Sequence, residues 1–129
     1  MAYTHSFSAS CSTPEVSLSD SAASVATGDT SIGITQVVAA NGGGANSIVT
    51  AFPATTFQSM VLQSTVPCVV TFSGTTQLDG VAATTVTLAA GILRRIQAIT
   101  GACTGLSVGA NTDSAGEAGA LTIGILYNA

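Results

Sequence analysis

The sequence carries very little charge. Only 6% of its 129 residues are charged: two cations, Arg94 and Arg95, no lysine and six acids, for a net charge of −4. Ordinary soluble domains are about 25% charged, and such a surface keeps a free monomer in solution. We therefore expect much of the surface of this protein to be covered by other copies of itself or by partners.

The scarcity of cations argues against several functions. Phosphate contacts are made largely by Lys and Arg, so we expect no nucleic-acid partner and no basic helix lying on a membrane. No apolar run reaches the roughly 18 residues that a membrane-spanning helix needs. The first residues lack the basic and apolar segments of a secretory signal. We therefore expect the chain to stay in a cytoplasm or in a particle assembled there.

Residues that could carry catalysis or bind a metal are also few. His5 is the only histidine and no G-x-S-x-G motif occurs, so we expect no catalytic residues and no enzymatic activity. One histidine and scattered cysteines do not supply the four ligands of a zinc site, and we expect no metal and no cofactor. Cys11, Cys68 and Cys103 are odd in number and form no CxxC motif. This favours small buried side chains over a disulfide or a reactive thiol.

The segment 111–117 faintly resembles a calcium-binding loop. Asn111 and Asp113 place oxygen atoms at alternate positions, and Gly116 is the sixth residue. However, Ala115 stands where a ligand is needed and no Glu stands at the twelfth position. The pattern favours an exposed hairpin loop over a metal site.

What the chain does contain is a repeated alternation of apolar and polar residues, typical of β-strands. Turn signals rich in Gly, Asn and Asp, such as Ser73-Gly74 and Asp79-Gly80, interrupt it about every ten residues, the spacing found in sandwiches and barrels. We predict strands near 3–11, 14–25, 30–39, 47–52, 56–64, 67–73, 83–89, 92–100, 103–109 and 119–127. The predicted fold is all-β, a jelly-roll-like antiparallel β-sandwich in which residues 1–129 form a single domain.

Arg94 and Arg95 are neighbours on the predicted strand 92–100, so their side chains point to opposite faces. Arg94 shares the more apolar face with Ile92 and Ile96. Two interpretations stay open. Both side chains reach water at a strand end, or they bind a carboxylate of another subunit, because Arg favours bidentate contacts at interfaces.

The N-terminal segment also suggests contacts between copies. Tyr3, His5 and Phe7 alternate along the first predicted strand. We expect residues 1–12 to form an arm that contacts or exchanges with a neighbouring copy. The predicted interface residues are Tyr3, His5, Phe7, Arg94 and Arg95.

Five segments of the second half follow one another in a recognisable order. They are SMVLQS (59–64), CVVTF (68–72), TTVTLAAG (84–91), GLSV (105–108) and ALTIGILY (120–127). In this order they resemble small jelly-roll virion proteins of tailed bacteriophages. The sequence departs from that pattern after Gly91, where such proteins often have Pro and Trp and this chain has Ile92-Leu93-Arg94-Arg95. The resemblance implies a structural role in the particle.

The function implied is that of a capsid decoration or cement protein on the virion surface, assembled in the host bacterial cytoplasm. Its partners would be the major capsid protein and copies of itself, with a trimer favoured, and it would stabilise the shell by mass action. One alternative is a tail, neck or vertex-spike component of the same virion. Another is a carbohydrate-binding jelly-roll module, which would need aromatic residues on its surface.

Overall fold

The structure, a computed structural model, describes residues 2–8, 10–12, 14–15, 17–19, 25–48, 57–80 and 83–128. For residues 10–12, 17–19, 25–27, 74–77 and 100–104 it describes the backbone alone. The strands of these ranges, in chain order, are β1 Tyr3–Ser6, β2 Ser10–Ser12, β3 Ser17–Ser19, β4 Val25–Gly28, β5 Thr30–Val38, β6 Asn46–Ile48, β7 Phe57–Ser64, β8 Cys68–Leu78, β9 Thr85–Leu88, β10 Arg94–Ile96, β11 Ile99–Val108 and β12 Gly119–Tyr127.

Eight of these strands form two four-stranded antiparallel sheets, ordered β10-β7-β12-β5 and β6-β11-β8-β9. The pairs β8–β9, β7–β10, β6–β11 and β5–β12 nest around one another, so the chain from β5 to β12 is folded back on itself around the β8–β9 hairpin. Pairing of β12 with β7 and of β11 with β8 completes the two sheets. Nested antiparallel pairs wrapped into two sheets are a jelly roll, so the predicted fold is confirmed.

The core lies between the two sheets and is built by alternation along each strand. On the first sheet Met60, Leu62, Ile123 and Ile125 point inward and are fully buried. The second sheet contributes the side chains Ile48, Cys68, Val70, Phe72, Val86, Leu88, Leu106 and Val108. Burying each such side chain contributes about 1.5 to 3 kcal/mol, and the two faces together form one apolar cluster.

Four predicted strands differ from the structure. The predicted strand 3–11 is interrupted at residues 7–8, between β1 and β2, and residues 14–25 contain β3 and only the first residue of β4. The predicted turn at Ser73-Gly74 does not end its strand, because β8 continues to Leu78 and pairs with the first half of β11. The predicted strand 92–100 is divided after Ile96. The carboxylate of Asp79 accepts hydrogen bonds from the backbone amides of Gln97 (2.8 Å) and Ala98 (3.0 Å), which fixes the corner between β10 and β11.

The connections that matter for function lie together at one end of the sandwich. The backbone amide of Gly91, in the β9–β10 turn, donates to the carbonyl of Ser64 at the end of β7. The amide of Thr112, in the β11–β12 loop, donates to the carbonyl of Pro67, and that of Asn41 donates to Gly116. The β9–β10 turn therefore lies beside the β7–β8 turn, and the β11–β12 loop lies between the β7–β8 turn and the β5–β6 turn.

Candidate functional site

The outer face of the β10-β7-β12-β5 sheet, which points away from the core, carries one charged side chain. Alternation and register place twelve residues on it: Ser31, Gly33, Thr35, Val37, Ser59, Val61, Gln63, Arg95, Ala120, Thr122, Gly124 and Leu126. Only Arg95 among them is charged. We call this set the outer face.

A two-stranded ribbon of β1 and β4 covers part of the outer face. In this ribbon His5 lies opposite Ala26, and both strands contact β12. Leu126 lies on the outer face and yet is only 1% exposed, because the ribbon packs over it. At Gly28 a Cβ atom would approach the backbone oxygen of Tyr127 to 3.0 Å, so the close contact of β4 with β12 needs glycine there.

His5 anchors the N-terminal arm, residues 3–7, to the sheet. Its Nδ1 lies 3.1 Å from Oγ of the fully buried Ser59 on β7. The ring passes over Gly124, where an added Cβ would lie 3.6 Å from Nε2. The imidazole therefore covers the Ser59 hydroxyl and separates it from solvent. Burial lowers the pKa of His5, and the nearby positive charge of Arg95 lowers it further.

Phe7 and Arg95 form the second contact between the arm and the sheet. The guanidinium carbon of Arg95 lies 4.0 Å from the centroid of the Phe7 ring, and that ring meets His5 edge to face at 6.2 Å. A cation over an aromatic face contributes about 0.5 to 2 kcal/mol. Nε and Nη1 of Arg95 are buried and have no hydrogen-bond partner within the described structure, so the aromatic face is the main compensation for their burial.

The two arginines do not behave as their faces suggest. Arg94 lies on the core side of β10, opposite Leu62, and is nevertheless exposed, because β10 is an edge strand and its side chain extends past the core. Arg95 lies on the outer face and is half-buried under Phe7. Nε and Nη1 of Arg95 are buried, so this side chain is less exposed than that of Arg94, and contact of either arginine with another subunit stays a prediction.

The structure thus brings together three of the five predicted interface residues, His5, Phe7 and Arg95, within one chain. Tyr3 pairs with Gly28 at the far end of the arm and is 42% exposed. The sequence does not mark Ser59 as part of this cluster. The small residues Ser59 and Gly124 on the second faces of β7 and β12 fit strands covered on both sides, but they do not indicate which segment covers them.

A histidine beside a serine also occurs in nucleophilic catalysis, but this pair differs in two respects. Ser59 has no exposed surface, so a substrate cannot reach its hydroxyl while the arm is seated. No carboxylate in the described part of the chain contacts His5 to orient it. The pair fastens the arm to the sheet.

The β11–β12 loop is held by its own hydrogen bonds. Asn111 is 4% exposed, its Oδ1 accepts the amide of Asp113 at 2.9 Å, and its Nδ2 donates to the carbonyl of Glu117 at 2.9 Å. Asn41 reaches in from the β5–β6 turn and donates to the carbonyl of Asn111. The Asn111 oxygen that a calcium ion would use therefore already accepts a backbone hydrogen bond, while Asp113 and Glu117 remain exposed.

Cys68 lies in the core as a free thiol with no exposed surface, as predicted. The side chains of Cys11 and Cys103 lie outside the described structure, and the predictions made for them stay predictions. Within the described residues no three His, Cys, Asp or Glu side chains are grouped as metal ligands. Those residues also form no helix long and apolar enough to cross a membrane.

Several large apolar side chains of the described residues remain in solvent. Ile92 and Leu93, in the turn before β10, are 57% and 52% exposed, and Val37 on β5 is 59% exposed. Of the aromatic residues, Phe57 and Phe72 lie in the core, which leaves Tyr3 as the exposed large aromatic side chain of the described chain. A carbohydrate platform built on several aromatic rings is therefore not present in these residues.

No protein-family model and no curated protein matched the sequence. Among solved structures, the chain is similar to a protein of the Bacillus endospore appendages, which form a family of disulfide-linked pili. The two share 19% sequence identity with a TM-score of 0.47, over 76% of this chain and 84% of the other.

Proposed function

We propose that this protein is a structural subunit that acts by assembling with copies of itself. The observation that supports the proposal best is the part of the outer face that the β1–β4 ribbon leaves exposed. None of its residues is charged: Ser31, Gly33, Thr35, Val37, Gln63 and Thr122. Few charges need to lose water when such a face is covered, so the desolvation cost of covering it is low. A free subunit usually relies on a charged surface for solubility, and the outer face does not provide one.

The edge of the same sheet supports the proposal independently. β5 pairs with β12 over nine residues, and no described strand pairs with its other edge. Soluble proteins usually protect such an edge with Lys, Pro or a short strand. β5 contains no charged residue and no proline. An unprotected edge of this length is suited to pairing with a strand of another subunit.

The finer proposal is that of a capsid decoration or cement protein of a tailed bacteriophage. It is supported by the resemblance of the five segments in the second half of the sequence. Copies would bind across joints between major capsid subunits and stabilise the shell by mass action. A tail, neck or spike position is the alternative, and copy number in the purified particle separates the two. Capsid proteins are present on the order of hundreds of copies, and vertex or tail proteins at about three to twelve.

Self-assembly is tested with the purified chain and a substitution on β5. We expect sedimentation and electron microscopy to show oligomers whose population grows with concentration. Thr35→Lys places a charge at the exposed β5 edge and is expected to shift the protein towards monomer, because the charge must be desolvated on pairing.

Ser73→Lys is the matched control, since Ser73 is an exposed residue on the central strand β8 of the other sheet. It adds the same charge without altering the β5 edge. A wild-type chain that remains a stable monomer at high concentration would overturn the proposal of assembly. Equal weakening by both substitutions would overturn the role of β5.

A further inference from the structure

The only two cations of the chain are side by side on one edge strand. Arg94 is exposed, and no described acid lies within ion-pair distance of it. It follows directly after Ile92 and Leu93, two apolar side chains that the turn at Gly91 (φ +74°) holds in solvent. We call Ile92, Leu93 and Arg94 the turn patch. Arg is enriched among the residues that contribute most to binding at interfaces, and the exposed apolar pair beside it adds surface that a partner could bury.

A loop of opposite charge lies at the same end of the sandwich, across the β7–β8 turn from this patch. The acidic loop, residues 112–118, presents Asp113 and Glu117 in solvent. Its backbone is fixed by the buried Asn111, which binds the residues that carry both acids. A turn from Asp113 to Gly116 adds a further hydrogen bond of 3.0 Å. Two negative charges are thus held in a defined arrangement, so little ordering is needed when they bind.

The patch and the loop do not meet within one chain. The turn at Gly91 is bonded to Ser64, on one side of the β7–β8 turn, whereas the loop is bonded to Pro67 and Asn41 on the other side of that turn. No hydrogen bond among the described residues joins the patch to the loop. Neither Asp113 nor Glu117 forms an ion pair with a described residue. A second copy placed beside the first would bring the acidic loop of one subunit to the turn patch of the other.

We propose that the turn patch of one copy binds the acidic loop of the next, with Arg94 between Asp113 and Glu117 and with Ile92 and Leu93 packed against the loop. The proposal rests on the proposed function, since it requires self-assembly. Two different surfaces meet in this contact, so it is heterologous and is repeated from subunit to subunit into a ring or a filament. It leaves the N-terminal arm and Arg95 in place.

The test is a charge exchange in the full chain. Arg94→Glu should weaken self-association by roughly tenfold or more, because like charges then face each other across the contact. Asp113→Lys with Glu117→Lys should weaken it similarly. The variant that combines all three substitutions should assemble again, because the negative charge then lies on the turn patch and the positive charges lie on the loop. Sedimentation measures the association, and thermal melting verifies that each variant is folded.

Glu15→Lys serves as the control, because Glu15 is an exposed acid outside the loop. It should leave assembly nearly unchanged. Wild-type assembly should also weaken from about 0.01 M to about 1 M salt, where the Debye length falls from about 30 Å to about 3 Å.

The outcomes separate this inference from the proposed function. If the wild type does not associate, the proposed function fails and the inference fails with it. If the wild type associates and Arg94→Glu associates equally well, the inference alone is wrong. It is also wrong if the triple variant stays as weak as Arg94→Glu, because another group would then be the partner of Arg94.

Discussion

At the scale of single residues, Phe7 matters because it covers the one guanidinium of the described chain that cannot reach water freely. Nε and Nη1 of Arg95 lie buried without partners, and the ring at 4.0 Å supplies the electrostatic compensation. A buried donor left unsatisfied costs about 1 to 3 kcal/mol. The stability of the contact between the arm and the sheet therefore depends on the balance between this desolvation cost and the cation–π attraction of Arg95 to Phe7.

Phe7→Ala is expected to release the arm without unfolding the sandwich. The loss should be about 0.5 to 2 kcal/mol, the worth of a cation over an aromatic face. Hydrogen exchange should accelerate in the β7 segment around Ser59, which the arm covers. Tyr3→Ala is the control, because Tyr3 is 42% exposed. Equal acceleration in both variants would contradict the role given to Phe7.

His5 makes the packing of the arm on the sheet dependent on pH. Burial and the charge of Arg95 lower its pKa in the folded chain, whereas the unfolded chain has the ordinary histidine value of about 6.5. As the pH falls, the unfolded chain therefore binds the proton first. The stability that neutral His5 contributes is present above pH 6.5 and is lost as the pH falls from there towards the lower, folded pKa.

Melting temperatures measured between about pH 8 and pH 5.5 should fall towards the acid end of this range, on either side of the histidine value of about 6.5. His5→Gln cannot take up a proton and should flatten that part of the curve. The described groups that face the ring are Ser59, Phe7 and Arg95. An unchanged slope in His5→Gln would show that another group is responsible.

At the scale of elements, the corner between β10 and β11 depends on Asp79. Its carboxylate accepts two backbone amides, and its own backbone lies at φ +51°, a conformation that Asp and Asn tolerate better than other side chains. Asp79→Ala should cost about 1 to 2 kcal/mol, because both amides lose their acceptor. Asp79→Asn keeps an acceptor oxygen and should cost less. Urea unfolding measures both, and equal losses would contradict this account.

The strand boundaries show how much of the fold the sequence could predict. The strands β5, β7 and β12 lie within two residues of their predictions, because apolar residues recur at every second position on the face that each turns towards the core. The end of β8 and the division of 92–100 were wrong. Residues 73–77 have no apolar alternation, and they form a strand because β11 pairs with them from a distance. A pairing between segments far apart in sequence leaves no local pattern.

The candidate site was predictable to a smaller extent. Tyr3, His5 and Phe7 were predicted from their alternation to contact a neighbouring copy. In the structure His5 and Phe7 pack on the sheet of their own chain, and contact with a neighbour stays a prediction. Ser59, the partner of His5, could not be found, because the position of β1 over β7 depends on the whole sandwich. The exposure of Arg94 also depends on β10 being an edge strand, which the segment itself does not reveal.

At the scale of the whole molecule, the few charged residues of the described chain are found in particular parts of the fold. The cations lie on one edge strand and the outer face is otherwise uncharged. The exposed acids of the described residues all lie outside the strands: Glu15, Asp29, Asp79, Asp113 and Glu117. A subunit arranged in this way presents an uncharged face, an open strand edge and two surfaces of opposite charge.

The position of β12 has a consequence for the order of events during synthesis. β12 follows every other strand in the chain and lies between β7 and β5 in the first sheet. It forms the middle of the outer face through Ala120, Thr122, Gly124 and Leu126. Pairings between distant segments form slowly, so the outer face does not exist until folding is nearly complete. In the proposed assembly, contacts through this face would therefore have to follow the pairing of β12 with β5 and β7.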